Sequence, residues 1–94
     1  LILTGEGKID GHSLRGKVVI GTAKRAQTLG IPLVAIVGDI GDNLEEVYTQ
    51  GVSGIFSINR IAAPFEKLKE RSREDLYLTV DNLMGFLVQM EEKR

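Results

Sequence analysis

One apolar run in the middle of the chain most constrains its fold. The six residues Pro32-Leu-Val-Ala-Ile-Val37 carry no polar side chain, and Gly38 follows them directly. A short run of this kind, rich in β-branched residues, is typical of a strand that is buried on both faces. Such strands occur mainly in parallel sheets covered by helices, so the run predicts a mixed α/β fold.

The segments around this run alternate between strand and helix patterns. We predict further strands at residues 1–4 and 54–58, and helices from Lys17 to about residue 29, after Asp42, after Pro64, and over about 72–92. The apolar stripe from Leu76 to Met90 in the last helix is expected in the core. The order βαβαβαα predicts an α/β fold of three-layer Rossmann or flavodoxin-like type with a short parallel sheet. Three strands are few for such a sheet, so we expect further chain or a partner to complete it.

Composition excludes several classes of protein. The 94 residues fit a single domain, the absence of cysteine excludes disulfides and thiolate sites, and one histidine excludes a His-pair metal site. A net charge of -1 argues against a dedicated nucleic-acid-binding domain, and no apolar run approaches the roughly 20 residues of a membrane span. We therefore expect a cytoplasmic protein that binds neither nucleic acid nor membrane. Leu1 stands within a predicted strand and is not Met, which indicates a piece of a longer chain.

Two glycine-rich loops follow the first two predicted strands, at residues 5–16 and 38–41. Because the carboxyl ends of parallel strands lie at one edge of the sheet, where ligands bind, both loops are expected at the same site. Residues 1–30 carry five Lys/Arg and two acidic residues, a net charge of +3, whereas residues 31–59 carry four acidic residues and no Lys/Arg. This distribution suits an anion site beside carboxylates.

The first loop has the chemistry of a phosphate site. Glycines allow backbone N–H groups to approach an anion, Lys8 and Lys17 add positive charge, and a helix start at Lys17 also favours an anion. Glu6 and Asp10 have two functional interpretations: both bind Mg2+, or Asp10 takes a proton from an attacking hydroxyl. The simpler alternative is that the glycines only form turns and that Glu6 and Lys8 form a solvated surface pair.

The loop also approaches a P-loop motif, with Gly11 followed after four residues by Gly16 and Lys17. The next residue is Val18, where a hydroxyl should bind Mg2+, and the motif starts seven residues after the predicted strand end. We therefore reject a true Walker A motif.

A family resemblance sharpens this hypothesis. The run Leu3-Thr-Gly-Glu-Gly-Lys-Ile-Asp10, followed by Leu14-x-Gly16-Lys17, resembles the C-terminal segment of the bacterial class I glycerate kinases. The resemblance implies a two-domain α/β enzyme about four times this length that transfers the γ-phosphoryl group of ATP to D-glycerate with Mg2+, usually giving 2-phosphoglycerate. Residues 1–94 then form a partial α/β domain at its C-terminal end, with little activity alone. The chain departs from the family at His12-Ser13, where Gln-Thr is usual.

Residue pattern and resemblance together define the candidate site. The catalytic candidates are Glu6, Asp10 and Lys17, and Glu6 and Asp10 are also the Mg2+ candidates. The candidates for binding ATP are Thr4, Gly5, Gly7, Lys8, Ser13 and Gly16. The expected partners are D-glycerate, ATP and the rest of the same polypeptide, with a homodimer as an option. Two alternatives stay open: a non-catalytic nucleotide- or phosphate-binding module, and a folding or dimerisation fragment without a ligand.

Overall fold

The chain forms two compact units, Leu1–Ser57 and Ile58–Arg94. A computed structural model describes residues 1–11 and 17–92. The elements, in chain order, are β1 (Ile2–Ile9), α1 (Lys17–Thr28), β2 (Leu33–Ile40), α2 (Glu45–Thr49), β3 (Gly54–Ser57), α3 (Phe65–Glu70) and α4 (Ser72–Glu92). The predicted βαβαβαα order and the α/β class with a short parallel sheet are confirmed.

The sheet has the order β1-β2-β3, and both strand pairs are parallel. β1 pairs with β2 from Ile2 opposite Leu33 to Ile9 opposite Ile40, whereas β3 pairs only with Val34–Val37. All five residues of β2 from 33 to 37 are buried, as expected for a central strand with apolar side chains on both faces. Beyond Val37, β1 and β2 continue together past the end of β3.

Both long strands extend further than the sequence predicted. β1 reaches Ile9 rather than residue 4, and β2 reaches Ile40 rather than Val37, so Gly5 and Gly7 lie in a strand and not in a loop. Glycine disfavours strands because it adds no side-chain packing. Here the hydrogen-bonded pairing with β2 outweighs that preference, and the first glycine loop is correspondingly shorter.

The core of the first unit lies between the sheet and its helices. α1 packs on β1 and β2, and α2 contributes Val47. The buried apolar residues of this core are Ile9, Val19, Ala23, Ala26, Leu33, Ala35, Val37, Val47 and Val52. The predicted apolar stripe of α1 is confirmed at three of these positions but is wrong at Leu29, which is 72% exposed. Helix α1 ends one residue earlier, and Gly30, at φ 69°, turns the chain away as predicted.

Helix α2 starts later than the sequence predicted. We expected a capping box from Asp42 to Glu45, but the helix begins at Glu45 and has Leu44 as its N-cap residue, with no side-chain hydrogen bond. Asn43 has a φ of 61°, a left-handed conformation that a helix cannot include. The capping-box prediction is therefore wrong, because the chain turns at Asn43 before the helix starts.

The second unit contains α3 and the 21-residue helix α4, whose predicted bounds are confirmed. The expectation that the whole stripe lies in the core is wrong: Leu83 is buried, but Leu76 is 45% exposed and Met90 is 54% exposed. Asp75 is also buried, and its carboxylate accepts hydrogen bonds of 3.0 and 3.2 Å from the Arg71 guanidinium. These hydrogen bonds raise the pKa of Arg71 above its ordinary value.

Candidate functional site

Backbone hydrogen bonds join the segments that follow β1 and β2. The N–H of Gly11 donates to the carbonyl oxygen of Asp42 at 3.0 Å, and the N–H of Gly41 donates to the carbonyl oxygen of Ile9 at 2.8 Å. The two segments therefore meet at the carboxyl edge of the sheet. The prediction that both glycine-rich segments share one edge is confirmed.

Three glycines allow this close approach. A Cβ atom on Gly11 would overlap the carbonyl group of Asn43, and one on Gly41 would overlap the Asp10 side chain. A Cβ on Gly38 would lie 2.9 Å from the carbonyl oxygen of Gly7, closer than such atoms pack. At these positions a steric reason accounts for glycine, so the interpretation of glycines as turn and packing residues is correct there.

Gly5 and Gly7 differ from those three glycines. No described atom lies within 4 Å of a Cβ built on Gly7, and the nearest to one on Gly5 is a carbonyl oxygen at 3.8 Å. Neither residue has the positive φ that requires glycine. Packing and backbone conformation therefore leave the glycines at these two positions without a structural explanation.

The predicted site residues are spread along the edge of the sheet. Thr4, Gly5, Glu6, Gly7 and Lys8 lie in β1, and Asp10 follows it. Lys17 is the exposed first residue of α1, so it stands where the N-terminal end of the helix dipole lies. Ser13 and Gly16 lie outside the described residues.

Glu6 and Lys8 do not form the surface pair that the sequence suggested as the simpler alternative. The Oε1 atom of Glu6 accepts a hydrogen bond of 3.1 Å from the N–H of Gly7. The Lys8 Nζ atom lies 3.7 Å from the Asp39 Oδ2 atom, across the β1–β2 register. Because these two side chains are 35% and 65% exposed, water screens the pair and its net contribution to stability is small.

Sequence reasoning missed Asp39 as a partner in the site. The signal was present in the order of residues, since Lys8-Ile9 and Asp39-Ile40 close the two strands in the same way. Only the strand register, which pairs Lys8 with Asp39, makes this correspondence meaningful.

The carboxylates of Glu6 and Asp10 are set apart by the extended backbone. Four positions of strand separate their Cα atoms by about 13 Å. Within residues 1–11 and 17–92, no three His, Asp or Glu side chains form a group that could hold a metal ion. Carboxylate oxygens nevertheless suit Mg2+, which commonly uses one or two of them together with water and phosphate oxygens. The donor set therefore fits a Mg2+ ion that is held partly by its substrate.

The structure also changes one argument about the P-loop. Because β1 ends at Ile9, Gly11 follows the strand after one residue, and the distance that we predicted between strand and motif is wrong. Val18 still lacks the hydroxyl group that binds Mg2+ in a P-loop, so the motif stays rejected.

Fold and site together define an α/β protein with polar and glycine residues gathered at the carboxyl edge of a parallel sheet. The sequence profile of the glycerate kinase family matches residues 1–88. The chain therefore belongs to the glycerate kinase family. Within the described parts of the chain, no helix is long and apolar enough to cross a membrane.

Three relatives illustrate this membership. The chain is 35% identical over 83 residues to a glycerate kinase of Bacillus cereus and 36% identical over 83 residues to one of Bacillus subtilis. Each alignment covers 88% of this chain and 22% of the relative. It is also 40% identical over 58 residues to a glycerate 2-kinase of Escherichia coli, which covers 62% of this chain and 15% of that protein. The chain thus spans about a fifth of the length of the Bacillus relatives.

Proposed function

We propose that this chain is the C-terminal part of a longer kinase that transfers the γ-phosphoryl group of ATP to D-glycerate, with 2-phosphoglycerate as the product. The observation that carries the proposal is the family match over residues 1–88. The relatives carry the names glycerate kinase and glycerate 2-kinase, which supports glycerate as the acceptor and its 2-hydroxyl as the attacking group. Because ATP is the phosphoryl donor, we also propose that the enzyme acts in the cytoplasm.

Phosphoryl transfer requires neutralisation of charge and an in-line approach of the acceptor. In our proposal Lys17 and the start of α1 bind phosphate oxygens, since a free positive charge and the helix dipole favour an anion at the same point. Lys8 assists from β1, although Asp39 neutralises part of its charge. Thr4, Ser13 and Gly16 complete the proposed contacts to ATP.

The two unexplained glycines support this assignment. Gly5 and Gly7 flank Glu6 at positions where an added Cβ would meet no steric obstacle from the described chain. A phosphate group that lies against the backbone would supply such an obstacle. We therefore propose that the backbone at Gly5 and Gly7 contacts the triphosphate.

Glu6 and Asp10 are the proposed acidic groups of the reaction. Asp10 follows β1 at the joined edge, where it either accepts the proton of the glycerate hydroxyl or helps to hold Mg2+. Mg2+, when bound, would neutralise the charge that develops on the phosphate oxygens. Glu6 would contribute an oxygen to the ion or orient the acceptor, at the cost of its hydrogen bond to Gly7.

The test uses the longer protein that carries this segment. The purified enzyme is incubated with ATP, Mg2+ and D-glycerate, ADP release is followed with a coupled assay, and NMR identifies which hydroxyl carries the new phosphate. We expect turnover that depends on D-glycerate and a product phosphorylated at position 2. Phosphorylation at position 3 would contradict only the proposed product.

Calorimetry of the 94-residue chain with ATP and Mg2+ separates the two alternatives. Binding of ATP without turnover in the longer protein would favour a nucleotide-binding module. The absence of both binding and turnover would favour a folding or dimerisation fragment.

A further inference from the structure

A groove runs along one face of α4 and has no role in the proposed reaction. It is lined by Arg73, Leu76, Tyr77, Val80, Asp81 and Met84. Their spacings of three and four residues place them on a single face of the helix. Tyr77 is 68% exposed, and Leu76 and Met84 are also exposed. An exposed apolar patch with charged residues at its margin is a mark of an interaction surface.

The two charges of the groove lie at opposite ends of its central part. Arg73 and Asp81 are eight residues apart, which corresponds to about 12 Å along the helix axis. Tyr77 lies midway between them in the sequence, and apolar side chains occupy the space between the charges. The groove therefore has a positive end and a negative end at equal distances from its centre.

This arrangement is complementary to itself. If two α4 helices pack antiparallel around a two-fold axis near Tyr77, Arg73 of each copy lies at the level of Asp81 of the other copy. The same ion pair then forms twice, and the apolar side chains of the two copies face one another. A two-fold interface requires this kind of self-complementary surface. Charge complementarity thus favours a second copy of this chain over a different partner.

We propose that two copies of the chain associate through antiparallel packing of the α4 groove, with reciprocal Arg73–Asp81 pairs that fix the register. One pair of helices buries less area than a standard stable interface of about 1,600 Å2. The dimer is therefore a weak one, with a dissociation constant on the order of micromolar to tens of micromolar. Its formation does not depend on catalysis or on bound ATP.

Charge reversal tests the proposal on the 94-residue chain. Sedimentation equilibrium is measured from low micromolar to submillimolar concentration for the wild type, Arg73→Asp, Asp81→Arg and the double variant. We expect a monomer–dimer equilibrium in the wild type, about tenfold or weaker association in each single variant, and recovery in the double variant, because reversal of both charges restores the pairs.

Asn82→Lys is the matched control. Asn82 lies nine residues after Arg73, two and a half helical turns, and so on the opposite face of α4. This variant should dimerise like the wild type, and circular dichroism checks that all variants keep their helices. A wild-type chain that stays monomeric at every concentration overturns the proposal and assigns the groove to another segment or partner. Single variants that still dimerise, or a double variant that does not recover, also overturn it.

Discussion

Gly11 donates its backbone N–H to the carbonyl oxygen of Asp42 at 3.0 Å, and this hydrogen bond ties the end of β1 to the turn that precedes α2. At the same point Gly11 lies against the carbonyl group of Asn43, where no side chain fits. The edge that carries the candidate site is thus held by main-chain contacts. Its shape therefore depends on the size of residue 11 more than on the charge of any side chain.

Replacement of Gly11 by alanine tests this dependence. The added methyl group meets backbone atoms of Asn43, which must shift, so we expect Gly11→Ala to lower the free energy of unfolding by about 1–3 kcal/mol in urea denaturation. Gly85→Ala is the matched control, because Gly85 lies within α4 with no atom within 4 Å of an added Cβ. That variant should be stabilised by up to about 1 kcal/mol. Equal effects of the two substitutions would refute the steric explanation.

Asp10→Asn should reduce the turnover number of the longer enzyme by about 100-fold or more, because removal of a positioned proton acceptor or metal ligand acts on the transition state. Steady-state kinetics with ATP and D-glycerate measure the effect. Asp81→Asn, on α4, makes the same chemical change away from the site and should leave turnover unchanged. Unaltered turnover in Asp10→Asn would exclude Asp10 from both proposed roles.

The same variant distinguishes the two roles of Asp10. If Asp10 helps to hold Mg2+, a higher Mg2+ concentration should restore part of the lost rate. If Asp10 is the proton acceptor, added Mg2+ has no effect, and the acidic limb of the pH–rate profile should disappear in Asp10→Asn.

Lys17→Gln tests the anion site at the start of α1. Loss of the positive charge should raise the KM for ATP by about fivefold, in line with a contribution of about 1 kcal/mol from one charge at an exposed site. Lys24→Gln removes an exposed charge from the same helix one residue short of the basic last turn and serves as the control. An unchanged KM in Lys17→Gln, or an equal rise in the control, would argue against phosphate contact at this position.

Asp75→Ala tests the ion pair of the second unit. Asp75 is 1% exposed and accepts two hydrogen bonds from Arg71, so its loss should lower the free energy of unfolding by about 1–3 kcal/mol. The lower part of this range is expected because the Arg71 side chain is 39% exposed and water screens the pair. Asp81→Ala, at an exposed position of the same helix, should cost much less, as followed by circular dichroism in urea. A cost in Asp81→Ala as large as that in Asp75→Ala would contradict the assignment.

The sequence was sufficient where local pattern and tertiary structure agree. The apolar run of β2 and the bounds of α4 follow from composition and periodicity, and the structure confirms both. β1 was predicted too short because its glycines were interpreted as loop residues. Their alternation with Glu6 and Lys8 is a period-two signal that, given more weight, would have extended the strand.

Other features depend on contacts between distant residues. The ion pair of Lys8 with Asp39 requires the strand register, and the need for glycine at residue 11 requires the position of Asn43. The exposed ends of the α4 stripe likewise follow from how much of the helix other residues cover, which periodicity does not report. Within the site, the shared edge of the two glycine-rich segments followed from the parallel topology alone.

The reciprocal backbone bonds at the edge of the sheet also restrict changes in chain length. One extra residue between Ile9 and Gly11 would move a side chain into the space against Asn43 and shift the donor that Asp42 accepts. One residue removed before Gly41 would pull β2 by a single position and turn its alternating side chains to the opposite face. Insertions and deletions should therefore be rare in functional variants at these two points, even where individual substitutions between them are common.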